Sequence, residues 1–223
     1  STPKPSSAAS DVYKRQATYY ANGAKFCKWR AVITIEKDIP SEACVESNMH
    51  ALARYASLCQ ENNLVPIVEP EVLINGSHTI EQCDAITRKS LKSLFKNLDM
   101  LNVCLPGTVL KPSMVISGQD NGSRADNNTV ANMTVDCLSD CVPEETSGIA
   151  FLSGGQSDSE AEQHLNIMNK KNNLPWRVTF SYARAIQAAA LAAWKGDDAN
   201  LVNAQKILIE RASRCSKASV GEL

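Results

Sequence analysis

The chain has 223 residues, 43% of them hydrophobic, and a formal net charge of -1 with charges of both signs interspersed. That length and apolar content supply a sizeable core for one large domain or two small ones, and a near-neutral surface without a basic face gives no electrostatic reason to expect nucleic acid or an anionic membrane as partner. No apolar stretch approaches a membrane span and the first residues lack the charged-then-apolar order of a signal peptide, so the chain reads as soluble and cytoplasmic.

Residues 1–16 are rich in Ser, Pro and Ala and then charged, with no apolar period, so they are expected to lie outside any core. The string Ser7-Ala8-Ala9-Ser10-Asp11-Val12-Tyr13-Lys14-Arg15-Gln16 reads as a translated adaptor, an assembly scar or a cloning remnant, a non-native or disordered leader ahead of residues 17–223. From there, short apolar runs alternate with longer amphipathic segments. Strands are predicted over 26–35, 64–68, 103–110, 148–152 and 178–180. Between the first two, Val45, Met49, Leu52, Ala56 and Cys59 form one apolar helical face, and Ile80, Cys83, Thr87, Leu91, Leu94 and Leu98 form the next. Val130, Met133, Cys137 and Cys141 follow the third strand. Ala161, Leu165 and Met168 follow the fourth, where Ser157 and Glu160 have capping-box spacing. An alanine-rich helix over 183–194 ends at Gly196, and a final helix carries Leu201, Ala204, Leu208 and Cys215.

Five strand-helix repeats imply parallel strands joined by helical crossovers, an α/β fold. A doubly wound nucleotide binder would show a glycine-rich turn after its first strand, which is missing here, whereas a (β/α)8 TIM barrel places polar residues at the carboxyl ends of many strands. This chain has that pattern. Its eight cysteines lie scattered among apolar positions and read as buried free thiols, and Cys137 with Cys141 lacks the second ligand pair a zinc site needs. His50, His78 and His164 are isolated, so a metal site has no support in the spacing.

The strand ends carry the chemistry. Lys28 and Arg30 share a face of the first strand, and Glu69 and Glu71 flank Pro70 at the end of the second. Lys111 closes the apolar run of the third, Ser153-Gly154-Gly155 ends the fourth, and Ser181-Tyr182-Ala183-Arg184 ends the fifth. Each has an ordinary reading alone, as a solvated lysine, a surface salt bridge, a turn or a helix start. Together they place two lysines, two arginines and two carboxylates on one barrel rim. A lysine amine at the end of a dry wall, with a second lysine near it, is equipped for nucleophilic attack on a carbonyl, and Glu69 or Glu71 can move protons. Bare glycine N–H groups and the Arg184 fork suit a phosphate on the last two strands, and Arg30 could hold a second anion. The implied substrate is a phosphorylated carbonyl compound.

From about Gly23 to Ala212 the chain resembles class I fructose-1,6-bisphosphate aldolase. The resemblance rests on Ala24-Lys25-Phe26-Cys27-Lys28-Trp29-Arg30, Leu52-Ala53-Arg54-Tyr55-Ala56, Val65-Pro66-Ile67-Val68-Glu69-Pro70-Glu71, residues 107–114, Phe151-Leu152-Ser153-Gly154-Gly155-Gln156-Ser157 and Thr179-Phe180-Ser181-Tyr182-Ala183-Arg184-Ala185. It implies that Lys111 forms an iminium with the ketose carbonyl and that Glu69 is the general acid/base, with Glu71 tuning the Schiff-base lysine and Lys28 aiding carbinolamine handling. It further implies that Ser153, Gly154, Gly155, Ser181 and Arg184 bind the dihydroxyacetone-phosphate end and Arg30 the other phosphate. The implied reaction is the reversible cleavage of fructose 1,6-bisphosphate to dihydroxyacetone phosphate and glyceraldehyde 3-phosphate in glycolysis and gluconeogenesis, with no cofactor or metal, in a homotetramer of the complete protein. If the last strand is the barrel's eighth, the chain holds about strands 4 to 8. The family's aspartate on the first strand and lysine on the third have no counterpart in residues 1–23, nor has its tail tyrosine after Leu223, so weak turnover is expected. Alternative readings are a non-catalytic scaffold derived from an aldolase and a Schiff-base aldolase preferring fructose 1-phosphate.

Overall fold

A computed structural model of the protein describes residues 8–171 and 174–223. In chain order it contains α1 (Ala8–Ala21), β1 (Phe26–Ile33), α2 (Glu42–Glu61), β2 (Val65–Val72), α3 (Ile80–Met100), β3 (Val109–Leu110), α4 (Asn127–Cys141), β4 (Gly148–Phe151), α5 (Asp158–Lys170), β5 (Val178–Phe180), α6 (Arg184–Trp194) and α7 (Leu201–Ala218). All strand pairs are parallel and the sheet order is β1-β2-β3-β4-β5. Strands laid down in chain order, without the reversal of a doubly wound sheet, give the winding of a (β/α)8 barrel over five of its units. Each helix of the crossover layer packs on the next, α2 on α3, α3 on α4 and α4 on α5.

The apolar stripes sit where their spacing puts them. Every residue of the α2 and α3 faces named above is buried, and Met133 of the α4 face is partly buried. On β1, buried Ala31 and Ile33 turn toward α2 while Lys28, Arg30 and Val32 face the other way, as the period of two requires. Leu201 and Leu208 differ from expectation. Both stay exposed, and with Leu191 and Trp194 they line an apolar cleft between α6 and α7, so the buried face of α7 is Ala204, Cys215 and Ala218. All eight cysteines are free, five of them buried.

Helix ends follow local chemistry. Ser157 and Glu160 form the expected capping box on α5, and Thr79 with Gln82 forms another on α3. Asn63 and Asn102 adopt left-handed φ values of 58° and 53°. There the Leu64 N–H returns to the Cys59 carbonyl and the Val103 N–H to that of Leu98, which closes α2 and α3 as Schellman turns.

Three expectations are corrected. β2 continues past Val68 through Pro70 to Val72. Its even-numbered residues face β3, a strand of two residues, so the missing N–H groups of Pro66 and Pro70 fall beyond the ladder, and the Val72 N–H is taken by Ser113 Oγ at 3.0 Å. β3 itself is shorter than the predicted 103–110 because Pro106 opens a single 3-10 turn over Leu105–Gly107. Gln60 replaces the ladder there, donating to the Cys104 carbonyl at 2.8 Å and accepting from its N–H at 2.9 Å. Finally, residues 8–16, set aside as outside the core, belong to α1, and Gln16 is buried with its amide donating to Cys59 Sγ at 3.2 Å. That anchor is polar, which is why no apolar period announced it. Residues 1–7 of the expected leader lie outside the described residues.

Two buried polar groups tie the helical layer together. Glu162 on α5 meets Arg214 Nε at 2.8 Å and Arg211 Nη2 at 3.0 Å, which fastens α7. His164, also on α5 and 1% exposed, lies between the Gln156 and Asn127 amides. Burial pushes the His164 pKa down to about 4, so folding excludes its charged form. Between that value and the unperturbed 6.5 the unfolded chain binds the extra proton, and stability therefore falls as pH drops through this window. Urea unfolding is expected to lose about 2 kcal/mol between pH 7 and pH 5 from this residue, with His78, also lowered by burial, adding to the slope. His164→Asn, which keeps an amide hydrogen bond but not the titration, should flatten the profile; an unchanged slope would exclude His164 as its source.

Candidate active site

Parallel strands of a barrel end at one rim, and the polar residues at their carboxyl ends meet there. Register sets who meets whom. Val68 pairs with Leu110 and the Lys111 N–H donates to the Val68 carbonyl at 2.8 Å, so Lys111 stands level with Glu69. Lys111 Nζ lies 3.2 Å from one Glu69 oxygen, and Lys28 Nζ from β1 lies 2.8 Å from the other. The Glu69 carboxylate, only 4% exposed, is thus shared by two ammonium groups from the strands on either side. Lys111 is itself nearly enclosed, its side chain 12% exposed, as the apolar wall of its strand demands.

Glu71, two residues on and on the same face, is engaged by Arg30 Nε. That hydrogen-bonded carboxylate holds Arg30 above the usual guanidinium value, against the opposing effect of burial. The carboxylate touching Lys111 is therefore Glu69. Glu71 is in direct contact with Arg30.

The other end of the rim is built from backbone. After β4 the chain turns through Gly154 and Gly155 with φ of 57° and 95°, left-handed values that favour glycine. A Cβ at Gly155 would come within 3.1 Å of Ile74 Cγ2 and 3.9 Å of Arg184 Nη2, so the turn is tightly seated and the guanidinium is beside it. The Ser181 N–H donates to the Phe151 carbonyl at 2.8 Å, which fixes the end of β5 against β4 and brings Arg184 in at the start of α6.

Lys28, Arg30, Glu69, Glu71, Lys111, Ser153, Gly154, Ser181 and Arg184 all line one cavity of about 380 Å³. Gly155 alone among the predicted site residues does not line it. Leu152 and Ala183 also line the cavity, and no chemistry of their side chains marked Leu152 in advance. Among the described residues no group of three or more His, Cys, Asp or Glu could hold a metal ion, and no described helix is long and apolar enough to cross a membrane.

The rim thus carries a nearly enclosed lysine on a carboxylate at one end and a glycine turn with an arginine beside it at the other. Residues 6–223 match the sequence model of the class I fructose-bisphosphate aldolases, and the chain belongs to that family. It is 52% identical over 209 residues to a probable fructose-bisphosphate aldolase class 1 of Xanthomonas axonopodis pv. citri, covering 93% of this chain and 63% of that protein. To the fructose-bisphosphate aldolase of Dictyostelium discoideum it is 46% identical, over 94% of this chain and 59% of that one. The structure superposes with a TM-score of 0.93 and 42% identity on fructose-bisphosphate aldolase from Plasmodium falciparum, solved in complex with TRAP and a small-molecule inhibitor, over 96% of this chain and 62% of that chain. The chain thus spans about three-fifths of the length of these relatives. The matched region begins at residue 6, inside the segment that composition had set aside.

The shared carboxylate makes a prediction about stability. Glu69→Gln leaves two buried or half-buried ammonium groups facing each other and should cost about 3 kcal/mol in urea unfolding, because an unpaired buried charge is strongly destabilising. Lys111→Met leaves Glu69 still paired with Lys28 and should cost only about 1 kcal/mol. Equal costs would mean that Glu69 does not bridge the pair.

Proposed function

We propose that these residues form the Schiff-base wall of a fructose-1,6-bisphosphate aldolase site. The observation that carries the reading is the contact of Lys111 with Glu69 inside the enclosed rim, since it supplies a nucleophile and a proton acceptor to the same atoms. Glu69 takes the proton from Lys111, and the freed amine adds to the ketone carbon of the sugar. The carbinolamine loses water as Glu69 returns a proton to the departing oxygen, leaving an iminium. Glu69 then accepts the proton of the hydroxyl borne by the far carbon of the bond to be broken, two carbons from the iminium carbon. That carbon–carbon bond breaks, the aldehyde leaves as glyceraldehyde 3-phosphate, and the electron pair stays as an enamine conjugated to the nitrogen. Protonation of the enamine carbon and addition of water release dihydroxyacetone phosphate and restore the amine. Lys28 offsets negative charge on Glu69 while the proton shuttles.

The phosphate next to the ketone is held by the Ser153-Gly154-Gly155 turn with Ser181 and Arg184, and the far phosphate by Arg30. The chemistry needs no metal or other cofactor. Relatives named cytosolic in Arabidopsis thaliana, 48% identical to this chain, support a cytoplasmic site of action, and a homotetramer is proposed for the complete protein.

Borohydride reduction in the presence of dihydroxyacetone phosphate should leave a covalent adduct on Lys111, detected by intact-mass and peptide spectrometry, and Lys111→Met should abolish it. An unchanged mass in the unsubstituted chain would exclude the Schiff base. The choice between bisphosphate and monophosphate turns on Arg30, which is half exposed and already paired with Glu71. Arg30→Ala should raise the half-saturating concentration for trapping with fructose 1,6-bisphosphate about tenfold, the value of a charge-assisted contact, and leave fructose 1-phosphate unchanged. Equal behaviour with both sugars would remove Arg30 from the far phosphate.

A further inference from the structure

We propose that Gln156 and His164 are positioning residues for the phosphate turn, a buried relay from α4 and α5 that sets the direction of the Ser153–Gly154 peptide. The inference rests on reading Ser153-Gly154-Gly155 as the phosphate-binding turn. Neither residue lines the cavity, so any role is exerted through the backbone.

The Ser153 carbonyl accepts two hydrogen bonds from one residue, the Gln156 N–H at 2.9 Å and its amide Nε2 at 3.1 Å. In a trans peptide the carbonyl and the following N–H point in opposite directions. Pinning the Ser153 oxygen toward Gln156 therefore turns the Gly154 N–H away from Gln156, and it is Gly154 that lines the cavity. Left-handed glycines on both sides of the next peptide make this turn one of several that the backbone alone permits, so an external clamp has something to decide.

The clamp has its own orientation fixed. Gln156 spends its N–H on Ser153, so its Oε1 faces His164 Nδ1, 2.7 Å away, and must accept. His164 consequently carries its proton on Nδ1. Burial keeps the ring neutral, despite the opposing field of Glu160, which is itself paired with Arg124 at 3.0 Å. A neutral ring with Nδ1–H leaves Nε2 as an acceptor, 3.0 Å from the amide of Asn127 in the first turn of α4. The amides as oriented have Asn127 donating to the Gln163 oxygen; turning both, so that Asn127 donates to Nε2 and Gln163 donates to the Asn127 oxygen while accepting from the Ser159 hydroxyl, completes the relay, the orientations having the same shape. The chain Asn127, His164, Gln156, Ser153 then has a donor and an acceptor at every link. Every group in it but the last is remote from substrate.

A relay of this kind acts on phosphate and leaves the ketone alone, which separates it from a general loss of structure. In borohydride trapping with the full chain, Gln156→Glu, which loses the side-chain donor to Ser153 and keeps only the backbone one, and His164→Leu should raise the half-saturating concentration of dihydroxyacetone phosphate about tenfold or more. Trapping of dihydroxyacetone, which lacks the phosphate, should not change. His164→Asn, whose amide N–H occupies nearly the place of Nδ1–H, should restore the unsubstituted value. Equal shifts with both ketones, or none with either, would overturn the assignment. A second measurement is independent of Lys111: inorganic phosphate should shift the Gly154 amide resonance of the unsubstituted and His164→Asn chains and not that of Gln156→Glu. A chain that forms no adduct yet shows this pattern loses the Schiff-base reading and keeps the relay. One whose Gly154 resonance ignores phosphate loses the phosphate turn, and the relay with it.

Discussion

Much of the rim depends on one buried carboxylate. Taking Glu69 out of water costs several kcal/mol, and the two ammonium groups it meets would repel each other without it. The arrangement is possible because three neighbouring strands deliver the charges from different heights. Lys111 stands level with Glu69, while Lys28 starts two residues lower on β1, about 7 Å along the strand, and its long stem makes up the difference. A one-residue slip of β1 against β2 would turn Lys28 to the helical side and leave Glu69 with half its compensation. The ion pairs and the strand register therefore specify each other.

How much of this was legible in the sequence follows from what each feature depends on. The helical stripes and capping boxes are local periodicities, and α2, α3 and α5 stand where Val45 to Cys59, Ile80 to Leu98 and Ser157 with Glu160 put them. The rim residues were legible because strand ends in a parallel sheet must converge, whatever the details. What was hidden required knowledge of a neighbour. Pro70 reads as a strand breaker until β3 is known to be two residues long, and the segment before β3 reads as strand until Gln60, from another element, is seen to hold it. The pairing of Glu69 with Lys111 and of Glu71 with Arg30 is likewise a matter of height on the rim, and the string Glu69-Pro70-Glu71 carries no sign of it.

The exposed apolar residues of α6 and α7 illustrate the same limit. Leu201 and Leu208 have the spacing of a buried stripe, and their periodicity is real. Spacing says that a face is apolar; it does not say which surface covers it. In this structure Glu162, Arg211 and Arg214 dock α7 on α5 through charge, and the apolar side of α7 turns toward Leu191 and Trp194 instead.

The two ends of the cavity are built by different means. The Lys111 end is made of side chains on β1, β2 and at the end of β3, held by their mutual charge. The Gly154 end is made of backbone at the close of β4 and the start of α6, held from behind by α4, α5 and α7. Arg211 belongs to that backing, since its guanidinium donates to the Ala185 carbonyl in the first turn of α6 at 3.3 Å while pairing with Glu162. Changes behind the Gly154 turn should therefore leave the contact of Glu69 with Lys111 untouched, because among the described residues no hydrogen bond or ion pair links Glu69 to that layer. The strand that joins them is β4, whose Phe151 carbonyl fixes Ser181 and whose next residues become the turn. Its short length, four residues, leaves the turn as the point where helical packing is converted into the direction of a single N–H.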